Sequence, residues 1–222
     1  EPQDITSNPY YTMIRQDWGE PTWLLQFEES GQKLEFGLNT TNGYDGLDVS
    51  IDPDDYVGKK IFLVATYDGT TKKIFKNGEE IISGNHSGYL LHNNSVHSVG
   101  AASFVNGSKD EFFHGKIDDV IIWDNALSQA DVNELYSIYG ENENFDGTVG
   151  VPGATLDNIV MYYNFNEGSG ETVNDLSGGD YHGLVNGATW SDNIPQPPAL
   201  GCMDSYAGNY DPDANVDDGS CS

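Results

Sequence analysis

Residues 59–82 read KKIFLVATYDGTTKKIFKNGEEII, and this stretch decides the fold class. Residues 61–67 are apolar at nearly every position, as a strand buried on both faces requires. Asp68-Gly69 opens a turn, residues 72–76 make a second strand with Ile74 as its core residue, and residues 79–82 return. Between them Asn77-Gly78 is the strongest short hairpin signal, because a type I′ turn needs positive φ at both central residues. An amphipathic helix over 59–67 is a poor rival: β-branched and aromatic residues dominate, and glycine punctuates at 58, 69 and 78. The stretch predicts a three-stranded meander.

Working outward toward the N-terminus, residues 1–9 read as an extended loop, and 10–16, 23–28, 33–39 and 47–51 as short strands. Gly19-Glu20-Pro21, Ser30-Gly31, Asn42-Gly43 and Asp45-Gly46 supply the breaks. Toward the C-terminus, 96–102 reads as a strand and 112–123 as a longer one broken at Gly115. The spacing predicts one helix over 128–139. Ser128 is its N-cap, Asp131 fills the capping-box position, Val132, Leu135, Tyr136 and Tyr139 form an apolar face, and Gly140 ends it. Residues 159–165 and 182–190 read as a further strand pair around a glycine-rich loop. Strands every ~8–12 residues point to an antiparallel sandwich rather than alternating βαβ units.

Length and charge narrow the function. The 222 residues can bury a substantial core as one large or two modest domains. Residue 1 is Glu rather than Met, which suggests a processed chain or an excised piece. No apolar run approaches the ~20 residues that span a bilayer, so no membrane insertion is expected within this region. Asp and Glu number 36 against nine Lys and Arg, and no base follows Lys116. That argues against nucleic acid or anionic lipid as a partner, since phosphate contacts need Lys or Arg. Five of the nine bases (Lys59, Lys60, Lys72, Lys73, Lys76) lie in the opening meander, so part of 117–222 is expected to dock against this basic island.

Cys202 and Cys221 bracket the end of the chain. If bonded, they close a loop of about 20 residues worth roughly 3 kcal/mol. The pattern suits an oxidising compartment and hence secretion or surface display. Asn39, Asn85, Asn93 and Asn106 head Asn-x-Ser/Thr sequons.

Three segments together resemble a known family: WLLQFEESGQKLEFGL (23–38), VATYDGTTKKIFKNGEEI (64–81) and FHGKIDDVIIWDNALSQADVNELY (113–136). They are similar to the later two-thirds of a laminin G-like (concanavalin A-like, pentraxin-like) jelly roll, over about residues 10–139. The resemblance implies an all-β fold of two face-to-face antiparallel sheets followed by one short helix, with a small disulfide-closed appendage at the C-terminus. Such domains usually open with a segment like VMYYNFNEGSGETVNDLSGGDYHGLVNGATW, which here comes last, at 160–190. It could fold back on its own chain, begin a second copy, or meet a neighbouring chain by strand donation. The organisation read from this is a sandwich over 1–140, a linker at 141–155, a completing strand pair (or the start of a second copy) over 156–192, a Pro-rich spacer at 193–200 and an appendage at 201–222. The appendage, GCMDSYAGNYDPDANVDDGSC, resembles thrombospondin type 3 calcium repeats.

Two carboxylate sets are candidate Ca²⁺ sites. Asp211, Asp213, Asn215, Asp217 and Asp218 alternate along a turning loop, as oxygen ligands for one ion would. It is not an EF-hand, because Val216 replaces the required glycine and Ser222 the bidentate glutamate. A solvated acidic turn is the alternative. Asp119, or Asp118, could join Asp175 at a structural ion, the alternative being hydrogen bonds to loop amides. Trp18, Trp23, Tyr44, Tyr89 and Tyr10 lie in or near loops, where a ring can stack on a sugar or simply pack. No Glu-x-Asp-x-x-Glu string of the kind glycanases carry on such sandwiches occurs. His86, His92, His97 and His114 have no zinc spacing. The expectation is a non-catalytic, secreted, calcium-stabilised sandwich acting in adhesion or in fibre assembly, with self-association through a sandwich edge, or contact with a glycan or surface protein. A carbohydrate-binding module is the alternative, and a glycan hydrolase or lyase a weaker one.

Overall fold

The computed structural model describes residues 1–16, 22–91, 96–103, 107–139, 158–191, 200–202, 204–210, 216–217 and 220–222. The strands are β1 Pro2–Asp4, β2 Tyr11–Gln16, β3 Trp23–Glu28, β4 Lys33–Thr40 and β5 Gly43–Ser50. The meander follows as β6 Leu63–Tyr67, β7 Thr71–Lys76 and β8 Glu79–Asn85. Short strands come next: β9 His97–Val99, β10 Ala102–Ser103, β11 Lys109–Asp110 and β12 His114–Gly115. Then come β13 Val120–Trp123, helix α1 Gln129–Tyr139 and β14 Ile159–Tyr163. The chain closes with β15 Thr172–Val173, β16 Gly183–Leu184, β17 Leu200–Gly201 and β18 Val216–Asp217.

Three layers result. A five-stranded antiparallel sheet in the order β5-β4-β3-β2-β9 faces the β6-β7-β8 meander. Between them Tyr11, Phe27, Leu34, Phe36, Leu38 and Leu47 meet Ile74, Leu63, Ala65 and Tyr67. The other face of the meander, carrying Phe62, Val64 and Phe75, packs on Leu127, Val132 and Leu135 at and before α1. That two-sided burial is why 61–67 carries apolar residues at successive positions. The β13-β14 ribbon is two-sided as well. Ile121, Trp123 and Tyr162 share the cluster with α1, while Met161 and Tyr163 pack with Val120, Ile122 and Ile14.

The Asn77-Gly78 turn has φ of 51° and 85°, as type I′ demands. Asn77 also closes the start of β6, its side chain accepting from Phe62 N at 3.0 Å. A Cβ on Gly78 would lie 2.9 Å from the Tyr136 ring, and Gln129 Nε2 donates to Gly78 O at 2.7 Å. The turn is therefore also the seat of α1. The capping box is formed: Ser128 N donates to Asp131 Oδ2 (2.8 Å) and Asp131 N to Ser128 Oγ (3.3 Å). Val132 and Leu135 are buried and Tyr136 meets Phe62, while Gly140 falls outside the described residues.

Several sequence expectations are corrected. Asp45-Gly46 is not a turn but lies inside β5, which starts at Gly43. Residues 1–9 are not merely loop: β1 pairs with His114 and Gly115, and Ile5 enters the core. Residues 96–102 divide at Gly100, whose φ is 77°. Residues 112–123 divide after β12 and resume at Val120, because Asp119 takes a φ of 48°. Of 182–190 only Gly183–Leu184 is strand.

The basic island is corrected too. Lys72 is 0% exposed inside the sandwich, donating to Phe36 O (3.4 Å) and Asp45 O (2.6 Å) and paired with the Asp45 carboxylate at 2.5 Å. Lys73 pairs with Glu80, Lys59 with Asp55, and Lys76 lies over the Tyr56 ring. What docks on the meander from 117–222 is the apolar face of α1, not an acidic surface meeting these four lysines.

Strand β14 pairs antiparallel with β13 of the same chain. Its other edge is met by 175–177: Tyr162 N donates to Asp175 Oδ1, Leu176 N to Tyr162 O, and Ser177 Oγ to Val160 O. A side chain and a turn thus occupy donors and acceptors that an added strand would need. The Cys202–Cys221 disulfide is formed. No helix among the described residues is long and apolar enough to cross a membrane.

Candidate functional site

Alternation along β3, β4 and β5 sends one set of side chains to the core and the other to the outer face of the sheet. The register makes cross-strand neighbours of Gln26 and Glu35, of Glu35 and Asp48, of Glu28 and Lys33, and of Gly37 and Gly46. All of these, with Leu24 and Tyr44, lie on the outer face. A Cβ on Gly37 would lie 2.8 Å from Tyr44 Cζ, and one on Gly46 would lie 2.6 Å from Glu35 Oε1. The Tyr44 side chain therefore lies along the sheet over Gly37, while the Glu35 carboxylate fills the space beside Gly46. Tyr44 is 45% exposed, and its hydroxyl donates to Glu35 Oε1 at 2.5 Å.

Beyond the Tyr44 hydroxyl the face is polar, with Gln26 and Glu35 buried and Asp48 exposed. Glu35 is 7% exposed, and its second oxygen accepts from Gln26 Nε2 at 2.8 Å. The oxygens of Glu28, Glu35 and Asp48 all lie within 4.8 Å of one another, the one such acidic group among the described residues. Burial, then the charges of Glu35 and Asp48, push the Glu28 carboxyl up to about 7. Burial and the bond to Glu35 raise Tyr44. Lys33 reaches Glu29 at 2.6 Å but Glu28 and Asp48 only at 3.8 Å. At β2 the face ends in Arg15 Nη1, which holds Glu111 Oε2 at 2.7 Å beside the buried Thr12.

Among the described residues singled out by sequence, Tyr44 alone belongs to this face. Tyr89 is 85% exposed at the end of the sheet, on a loop held firmly: Thr41 N donates to Tyr89 O, Tyr89 N to Thr41 Oγ1, and Tyr67 Oη to Gly88 O. Trp23 faces the core and stacks on His97, and Tyr10 is half-exposed. Trp18 lies outside the described residues, as do Asp211, Asp213, Asn215 and Asp218; of Asp217 only the backbone, in β18, is described.

Asp118, Asp119 and Asp175 do not form a group of three close carboxylates. Burial and then Asp118 push Asp119 up to about 7, and it accepts from Tyr162 Oη at 3.3 Å. Asp175 accepts from Tyr162 N, Ser177 N, Ser177 Oγ and Tyr181 N. Burial alone would raise it, but these bonds outweigh burial and hold it below the ordinary range.

Glu28, Glu35 and Asp48 were missed because the acids were sought along one strand, whereas they converge from three. The available signal was alternation: Lys33, Glu35, Gly37 in β4 and Tyr44, Gly46, Asp48 in β5 put polar or small residues at every second position.

A family model described as the concanavalin A-like lectin/glucanases superfamily, of laminin G type, matches residues 3–133. The chain belongs to this superfamily. The superfamily's match stops short of 201–222, whose likeness to thrombospondin type 3 repeats rests on that segment alone. No curated protein matches the chain. Among solved structures, a provisionally assigned carbohydrate-binding protein of Bacteroides ovatus is similar with a TM-score of 0.58 at 18% identity, over 83% of this chain and 50% of that one. The chain thus spans half the length of that relative. Weaker likenesses are the receptor-binding domain of botulinum neurotoxin D (TM-score 0.41, 19% identity, 61% and 34% covered) and the binding domain of botulinum neurotoxin DC in complex with SialylT (0.43, 15%, 61% and 32%). The superfamily includes glucanases as well as lectins.

Proposed function

We propose that this concanavalin A-like sandwich is a non-catalytic glycan-binding module of an extracellular protein, and that the outer face of its five-stranded sheet receives the sugar. The observation that carries this is the Tyr44 ring, laid along the sheet over Gly37 and half open to solvent. An aromatic face attracts the polarised C–H groups of a pyranose, and nearby Asp48 and Lys33 offer acceptor and donor groups to its hydroxyls. The B. ovatus relative's provisional assignment agrees with it.

The test is binding to a glycan array, followed by calorimetry on the hits. Tyr44→Ala should abolish binding with little change in melting temperature, and Gly37→Ala should weaken it by lifting the ring. Binding unchanged in Tyr44→Ala overturns the assignment to this face, and release of reducing sugar from a bound polysaccharide overturns the non-catalytic reading. Adhesion through the glycan and secretion remain parts of the proposal, supported by the Cys202–Cys221 bond. Assembly through a sandwich edge would have to use one other than β14. The acidic loop at 211–218 is proposed to hold Ca²⁺; chelation should then expose the bridged segment to protease, and a cleavage pattern indifferent to Ca²⁺ would count against it.

A further inference from the structure

We infer that Glu28, Glu35, Asp48 and the amide oxygen of Gln26 form a binding site for a hard divalent cation of Ca²⁺ size. The inference does not rest on the glycan reading. Three carboxylates from three adjacent strands present oxygens within 4.8 Å of one another, and about 2.4 Å is the usual Ca–O distance. That spacing is close to what one bridging ion needs.

The independent observation is Gln26. It is 5% exposed, and its Oε1 is buried with no hydrogen-bond partner. Its position is fixed from both sides: it sits across from Glu35 and two residues before Glu28 on the same face of β3. Because Nε2 donates to the Glu35 carboxylate, turning the amide over would set oxygen against oxygen. An amide oxygen kept dry and unpaired costs free energy unless a hydrogen-bond donor or a cation meets it. A cation shared with the three carboxylates does so, and all four ligands are then the hard oxygens that Ca²⁺ prefers.

Lys33 is the competing positive charge. Its Nζ is 3.8 Å from both Glu28 and Asp48, and its close partner is Glu29 at 2.6 Å, out on the turn. An incoming ion therefore displaces two long contacts and leaves the short one.

The experiment uses the full chain carrying Asp211→Asn and Asp213→Asn, so that the C-terminal acidic loop does not contribute. After EDTA treatment it is titrated with Tb³⁺ while tyrosine is excited, then with Ca²⁺ as competitor. Tyr44 touches Glu35, so sensitised emission at one ion per chain, displaced by Ca²⁺, is expected. Glu35→Gln should weaken binding by about a hundredfold and Asp48→Asn by about tenfold, with Lys33→Met tightening it by a few-fold. Asp48→Asn lies at the open side of the group and decides the matter if Glu35→Gln fails to fold. Absence of displaceable emission in the parent, or Asp48→Asn binding as tightly as the parent, overturns the site.

Discussion

The two facing sheets of this sandwich each have an outer face, and the chain finishes them in opposite ways. The meander's outer face is apolar and closed by α1, with Val132 and Leu135 fully buried against Phe75 and Val64. The outer face of the five-stranded sheet carries Gln26, Glu28, Lys33, Glu35 and Asp48, with the Tyr44 hydroxyl bonded to Glu35. Closing the first face by hydrophobic burial makes it scaffold. The second holds close-set carboxylates from three strands, and it is the face proposed to bind a ligand.

The comparison can be broken first at the layer both faces share. Lys72→Glu places an acid in the dry interior beside Asp45, so we expect a loss of about 4 kcal/mol, measured by urea denaturation. A milder result would mean that the interior admits water. Next, Leu135→Ala should cost about 3 kcal/mol through the cavity under α1, yet leave Tb³⁺ and glycan affinity unchanged. A parallel loss of affinity would show that the faces are coupled rather than independent.

Smaller effects sharpen the contrast. Glu28 has a folded pKa raised from 4.5 to about 7. It therefore favours folding fully below about pH 4.5, and that advantage is lost as pH rises through about 7. With EDTA present, Glu28→Gln should gain about 1 kcal/mol at pH 8 and nothing at pH 4, after discounting for solvent. A pH-independent effect would refute burial and carboxylate crowding as its causes. Lys73→Glu, exposed and paired only with Glu80, should cost under about 1 kcal/mol. The contrast with Lys72→Glu separates two adjacent lysines that face opposite ways.

Much of the fold was legible because it follows local rules. Asn77-Gly78, Ser128 with Asp131, and the apolar run of 61–67 each specify their structure through a few neighbouring residues. Asp45-Gly46 misled for a non-local reason. Gly46 is glycine because the Glu35 carboxylate of the next strand occupies the space of its Cβ, not because the chain turns there. Tyr44 was named from its neighbourhood in the sequence, but its bed over Gly37 and its bond to Glu35 were not visible.

The sequence was therefore enough for an all-β sandwich, its meander, its helix and its disulfide pair. Tertiary structure alone decided which lysine is buried, which edge Asp175 occupies and which acids meet. The physical reason is register. A shift of one residue between β3, β4 and β5 would turn Gln26, Glu35 and Asp48 to the core, and register is set by the packing of whole sheets.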